Sequence, residues 1–420
     1  MILTSFSRSA IAMYKPRLFA LVAMLSMASL PSLTLGQPVG HGFDVGGFRA
    51  YPWLNFLLGY ADNYYRSNDE IRDLGGLPPR GLWQSVVEPG VRLTALKGAD
   101  SYNLSYFARI GTVFDSSADD FVDQKFQATG AWEFGLRNRL TADYQFWYWH
   151  DPRGAGSPVD SARANFTFGE PDKWNSNRAM LTYSYGAPGA RGRMDVRAGY
   201  LTRQYTNNEQ EYRDNNRPFA GATFYARIRP KVSLLIDANW EQVDYTDQAA
   251  EAVSLNSDNL TLYTGVTWDA TAKTTGTVKI GWLGKDFSAA QRGDVSDFGW
   301  SAQVQYRPRT YSTFNLRTER APAETTSGLA DAVIVSLVDL DWVHYWKPLL
   351  YTRFGLSGSN DDYVGSPRVD HRYNASGGVF YQVRRWMEVG VDYTYETRQS
   401  DESLADYNNS IVLFSVRTAY

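Results

Sequence analysis

The 420-residue chain contains no cysteine. That excludes a disulfide framework and any thiolate metal site. It also suits a chain that crosses an oxidising compartment unfolded. Histidine is scarce, with His41, His150, His344 and His371 far apart and in no metal-type spacing. Neither charge sign dominates. The 42 Lys and Arg are mixed among 45 Asp and Glu, so no basic stripe points to nucleic acid. Beyond residue 36, no window of about 18 apolar residues exists, which excludes a membrane-spanning helix there. No Gly-rich phosphate loop or paired-carboxylate motif stands out. The chain is therefore read as a non-enzyme, with no cofactor and no metal. His150 and His371 fall near strand–loop junctions, where a rim hydrolase would keep a histidine, but the sequence identifies no activating carboxylate for either.

Aromatic residues, by contrast, are abundant. Twenty-eight Tyr and thirteen Trp coexist with a mean hydropathy of −0.40, so the chain is polar on average yet rich in rings. Strands with one face in lipid and the other in water give that combination. The start of the chain fits export. Residues 1–36 read as a secretory signal peptide, with Lys15 and Arg17 ahead of an apolar run from Leu18 to Leu30. That run, about 13 residues, is shorter than the roughly 20 a spanning helix needs. Thr34 and Gly36 suit a cut before Gln37, and Ser26 with Ala28 offers an earlier one. Residues 37–47 are then a short periplasmic segment, and 48–420 form the main domain.

From Phe48 onward one plan repeats. An alternating segment of about a dozen residues ends in a tight turn, and a second ends in a longer polar loop. The tight turns fall at 97–100, 136–139, 187–189, 229–231, 270–273, 307–309, 347–348 and 384–385. Gly and Pro recur there because they supply positive φ or a fixed φ and end a ladder. The long loops fall at 61–81, 115–121, 151–173, 206–216, 246–257, 288–295, 321–328, 359–370 and 399–407. Short turns alternating with long loops is the asymmetry of an outer-membrane barrel. The expectation is an all-β, antiparallel, up-and-down transmembrane barrel of about 18 strands, integral to the bacterial outer membrane. The count is ambiguous around 161–168 and 332–346.

Alternation also sorts residues by face. Val232, Leu234, Ile236, Ala238 and Trp240 oppose Ser233, Asp237, Asn239 and Glu241; Met387, Val389, Val391, Tyr393 and Tyr395 oppose Glu388, Asp392, Thr394 and Glu396. At the end of the sequence, Val412, Phe414, Val416, Thr418 and Tyr420 share one face. This reads as the closing strand, and Phe414, Val416 and the last aromatic, Tyr420, resemble the signal read by the barrel-assembly machinery.

Three stretches resemble a known family. They are Gly47-Phe48 with Tyr51-Pro52 and Gly59-Tyr60-Ala61-Asp62-Asn63-Tyr64-Tyr65-Arg66; Glu88-Pro89-Gly90-Val91-Arg92-Leu93; and Gly293-Asp294-Val295-Ser296-Asp297-Phe298 followed by Arg307-Pro308-Arg309-Thr310. Their order and spacing resemble the putative β-barrel porin 2 family, with Ala61 standing where that family commonly has an acid. The resemblance covers essentially the whole mature chain. It implies a barrel serving exopolysaccharide or capsule export, and it carries no catalytic residues. The implied partners are outer-membrane lipid and lipopolysaccharide, the assembly machinery, periplasmic polysaccharide-export components and the polysaccharide itself.

The polar faces give candidate pore-lining residues: Arg109, Asp143, Trp147, Trp149, Arg197, Asp237, Tyr263, Lys279, Arg317, Tyr351, Arg353 and Asp392. Most lumen charges are expected to pair across strands and hold the wall. The rest would form a selectivity surface. Rings such as Trp147, Trp149, Tyr263 and Tyr351 would stack on the apolar faces of sugars, while the mixed charge suits a neutral or weakly acidic glycan. Alternatives are a plugged barrel that scaffolds an export complex, and a nutrient porin constricted by the loop at 61–81 or 151–173.

Overall fold

The computed structural model describes residues 40–74, 76–154, 169–187, 189–248, 253–269, 273–325 and 330–420. The signal-peptide reading and most of the expected 151–173 loop, including the ambiguous 161–168, lie outside them. A three-residue strand, β1 (Phe43–Val45), precedes the wall. The wall begins with β2 (Phe48–Ala61), β3 (Leu82–Lys97), β4 (Asp100–Val113), β5 (Phe121–Phe134), β6 (Asn138–Asp151) and β7 (Asp172–Tyr185). It continues with β8 (Gly192–Tyr205), β9 (Asn215–Arg229), β10 (Val232–Tyr245), β11 (Ser257–Trp268), β12 (Thr274–Phe287) and β13 (Val295–Arg309). It ends with β14 (Ser312–Ala323), β15 (Ala332–Lys347), β16 (Leu350–Val364), β17 (Val369–Arg384), β18 (Met387–Ser400) and β19 (Tyr407–Ala419).

Each of these eighteen strands pairs antiparallel with the next, and β19 closes on β2 from Ile411 opposite Ala61 to Ala419 opposite Trp53. Closure satisfies the backbone groups that lipid could not. The strands run 12 to 16 residues. About 9–11 tilted residues cross the hydrocarbon, so each strand reaches beyond it. Seven of the expected tight turns fall at strand junctions, with residues 188 and 270–272 of two of them outside the described residues; the eighth, 307–309, lies inside β13, where a register shift between Tyr306 and Arg309 carries the strand past Pro308 and moves the turn to 310–311. Gly98 and Gly135 take φ of 64° and 72°, a left-handed conformation that other residues adopt at a cost.

Alternation produces the two faces. Ile236 is 64% exposed on the lipid row of β10, while its neighbour Asp237 is 1% exposed on the lumen row. One long-loop expectation fails. The 359–370 segment is not a loop: β16 runs to Val364 and β17 begins at Val369, leaving only 365–368 between them. Asp361 and Asp370 misled the reading because they are lumen-row residues with partners. Asp361 receives Arg372 at 2.7 Å, and Asp370 receives Arg368 at 2.8 Å. The ambiguous 332–346 stretch is the single strand β15.

The wall forks between β13 and β14. The β13–β14 ladder stops at Trp300 opposite Arg320, although β14 continues, paired with β15, to Ala323 opposite Val333. Pro322 has no N–H to extend a ladder there. The freed end of β14 bends inward until it lies against β12. Arg320 spans the fork, donating to Asp297 and, at 2.8 Å, to Ser336 Oγ.

Candidate functional site: the lumen

The lumen rows meet in two different ways. On the side of β7 to β12 the side chains pack against each other. Asp237 accepts hydrogen bonds from Lys279 Nζ at 2.9 Å, Arg197 Nη2 at 2.7 Å and Thr223 Oγ1 at 2.7 Å. Tyr263 lies under the Lys279 ammonium, 5.2 Å from the ring centre. Higher up, Lys285 Nζ donates to Glu324 at 2.6 Å, and Tyr245 donates to the same carboxylate at 3.2 Å. Glu324 follows the inward-bent end of β14, so its reach to β10 and β12 straps that bend across the outer end of the lumen.

Elsewhere a cavity of about 870 Å³ remains. No side chain of β7 to β11 borders it. Its outer end is ringed by Tyr60, Tyr64, Phe121, Trp149 and Pro152. Its inner end reaches Gln305, Asn315 and Arg353, within a few residues of the turns that follow β13 and precede β16. Between them lie Gln84, Ser301, Gln303, Ser357, Asn374, Ser376 and Thr394. The charges balance closely: Arg66, Arg109, Lys279, Arg317 and Arg353 against Asp339, Asp341, Asp392 and Glu396. Several are paired, with Arg353 to Asp341 at 3.2 Å, Arg317 to Glu319 at 3.0 Å and Arg66 to Glu396 at 2.6 Å.

All twelve residues singled out from the sequence sit on lumen rows, but they divide. Arg109, Trp149, Lys279, Arg317, Arg353 and Asp392 border the cavity. Asp143, Trp147, Arg197, Asp237, Tyr263 and Tyr351 do not. Asp143 is covered by Thr129 and Gln145, at 2.9 and 3.0 Å. Lys125 Nζ lies 4.0 Å over the Trp147 ring. Tyr351 is stacked on Phe380 at 4.9 Å and donates to Glu388 at 3.2 Å. These rings already have partners on the faces a sugar would use.

Two clusters at the outer mouth escaped the sequence reading. His150 Nδ1 lies 2.7 Å from Asp123 Oδ1, with the ring stacked on Phe121 at 4.2 Å. This supplies the carboxylate that was not evident in the sequence, but no nucleophile hydrogen-bonds to the pair among the described residues. The second cluster ties three loops together. Asp119 accepts from Arg153 at 2.7 Å, Tyr65 at 3.0 Å and Ser116 at 2.6 Å. Burial opposes ionisation of Asp119, but these hydrogen bonds outweigh it and hold the carboxyl below the usual range. Among the described residues no group of His, Asp and Glu has the arrangement of a metal site.

At the inner end, Phe414 and Val416 of β19 lie opposite Leu58 and Phe56 of β2. The Tyr420 N–H donates to Pro52 O at 3.0 Å, and its ring meets Phe43 of β1 edge-on at 6.0 Å. The family model described as Putative beta-barrel porin 2 matches residues 37–420. The chain belongs to that family. It is an integral outer-membrane, porin-like β-barrel. No curated protein matches it. Similar solved structures include OccK3 (OpdO) of Pseudomonas aeruginosa, at 13% identity over 88% of this chain and 96% of that one, with a TM-score of 0.47. OpdL of Pseudomonas aeruginosa is 14% identical over 90% and 99%, with a TM-score of 0.46. The siderophore receptor PirA from Pseudomonas aeruginosa is 9% identical over 89% and 80%, with a TM-score of 0.44.

Proposed function

We propose that this porin-family barrel conducts an exported polysaccharide, of the exopolysaccharide or capsule type, from the periplasm to the cell surface. The observation that carries this reading is the cavity. It follows the lumen from the ring of Tyr60, Tyr64 and Trp149 to Gln305 and Asn315, and amides and hydroxyls dominate its middle. Such groups replace the hydration of sugar hydroxyls with weak, repeated contacts that still permit release. Aromatic stacking would act only at the outer ring, where Trp149 borders the cavity. The partners on this reading are lipopolysaccharide around the wall, the assembly machinery at Tyr420 and periplasmic export components at the turns.

The test is export from cells carrying substituted barrels. Gln303→Leu with Asn374→Leu should reduce secreted polymer while leaving barrel abundance unchanged. Wild-type export from a strain without the gene would exclude the reading. A second reading, a plugged scaffold, draws on the Glu324 strap and the packed β7–β12 side. Loss of export on deletion, together with no single-channel conductance and no effect of the lumen substitutions, would favour it.

A further inference from the structure

The periplasmic rim carries a charge pattern that the balanced lumen does not explain. Each of the eight short turns, counted with the strand residues that flank it, contains Lys or Arg. The acids there are Asp100 and Asp269, and within two strand residues of the turns also Glu133 and Glu388, the latter paired with Arg417 at 3.0 Å. Arg229 and Lys231 are exposed, and so are Arg384 and Arg385.

The position of these charges matters more than their number. Arg307 continues the row of Gln303 and Gln305, which border the cavity, and Lys273 continues the row of Thr275 and Thr277, which also do. The Arg307 N–H donates to Lys273 O at 2.6 Å, so the two cations lie side by side on neighbouring strands. Arg191 and Arg227 repeat the arrangement, joined through their backbones at 2.8 Å. The rows facing lipid at this level carry Ile228, Tyr306, Trp346 and Trp386, all exposed. At Arg191, Arg227, Lys273 and Arg307 the positive charge therefore lies on rows that lead to the mouth of the lumen rather than to the lipid. Arg191, Arg227 and Arg307 have no acidic partner among the described residues. Like charges placed opposite each other on adjacent strands destabilise a sheet. Arg191 and Arg227 form such a pair with no acidic partner among the described residues, which favours an anion at this rim.

We propose that this ring is the loading site for an acidic polysaccharide, a polymer bearing carboxylates, that enters from the periplasm. The inference rests on the conduit reading above and names its substrate class. Fixed positive charge at a low-dielectric mouth raises the local concentration of a polyanion and speeds its capture. The near-neutral cavity beyond it does not hold the chain. The ring acts at entry, and the amide-lined cavity acts in passage.

The test uses the whole barrel in planar bilayers of zwitterionic lipid, with polygalacturonate or dextran of equal length added on the periplasmic side. Polygalacturonate should interrupt the current at a concentration about tenfold below that of dextran, and added salt should erase the difference. The combined variant Arg191→Gln, Arg227→Gln, Lys273→Gln and Arg307→Gln should lose most of that preference while keeping the conductance. Equal block by both polymers, or a preference unchanged in the variant, overturns the proposal. If dextran still enters, the conduit reading survives that result. If neither polymer enters and no current flows, both fall. A variant that loses affinity for anionic phospholipid vesicles but keeps the polymer preference would assign the ring to the membrane and also overturn the proposal.

Discussion

The two sides of the lumen use the same residue types for different ends. On the β7–β12 side, Asp237 is surrounded by Lys279, Arg197 and Thr223, each within 3 Å. On the β13–β18 side, Arg317 and Arg353 have partners too, but they also border open space. A charge in the first setting has exchanged water for a complete set of hydrogen bonds. A charge in the second keeps part of its hydration and remains available to a solute. A polar lumen row therefore does not by itself mark a pore. What lies across from the row decides.

The largest expected effect breaks the packed side. Asp237→Ala leaves Lys279 and Arg197 buried around a missing anion. Uncompensated buried charge of this kind costs about 3–5 kcal/mol. The unfolding midpoint of the purified barrel in detergent should fall sharply, whereas Gln303→Ala on the open side should leave it nearly unchanged. Similar midpoints for the two variants would show that the sides do not differ.

The strap that separates the sides is next. Glu324→Ala removes the carboxylate that reaches from the end of β14 past β13 to Lys285 of β12 and Tyr245 of β10. Lys285 retains Ser257 at 2.8 Å, so the loss should be about 1–3 kcal/mol. With the inward bend released, single-channel conductance should rise. An unchanged conductance would mean the strap closes off nothing.

Period-2 alternation made both rows of each strand legible, and the short turns brought the strand count to about 18, with 161–168 and 332–346 left ambiguous. What depended on the ladder rather than the strand was not legible. Asp123 and His150 have no reason from alternation to meet. They do so because the β5–β6 ladder stops at Gln124 opposite Tyr148, which frees the outer ends to turn. The fork between β13 and β14 has the same character. Pro322 was visible, but the contact its strand makes two strands away was not. Likewise, alternation placed Tyr263 and Tyr351 inward without showing that Lys279 and Phe380 already cover them.

A smaller effect sharpens the open side. Arg317→Glu reverses one charge beside Glu319 and Asp339 at a partly exposed site. Because solvent screens that site, stability should change by at most about 1 kcal/mol. Ion selectivity should shift toward cations, read as a change in reversal potential across a salt gradient. The same reversal at Arg197, on the packed side, should lower barrel yield instead. A selectivity shift from folded Arg197→Glu barrel would erase the distinction between the sides.

The smallest effect is at the outer mouth, where Asp119 joins the loops after β2, β4 and β6 through Tyr65 and Arg153. Its folded carboxyl ionises at lower pH than an ordinary one. The stabilisation is therefore present above the unfolded value, about pH 4, and is lost as pH falls through the folded value. Arg153 stays charged throughout. Limited proteolysis of the purified barrel should show these loops equally protected at pH 7 and pH 5, and more readily cut only in stronger acid. Asp119→Asn should show the acid behaviour already at pH 7, because the amide cannot pair with the guanidinium as an anion does. Loosening of the wild type between pH 7 and pH 5 would place another group in control. Equal protection of wild type and Asp119→Asn at pH 7 would mean that packing, not the carboxylate, holds the mouth.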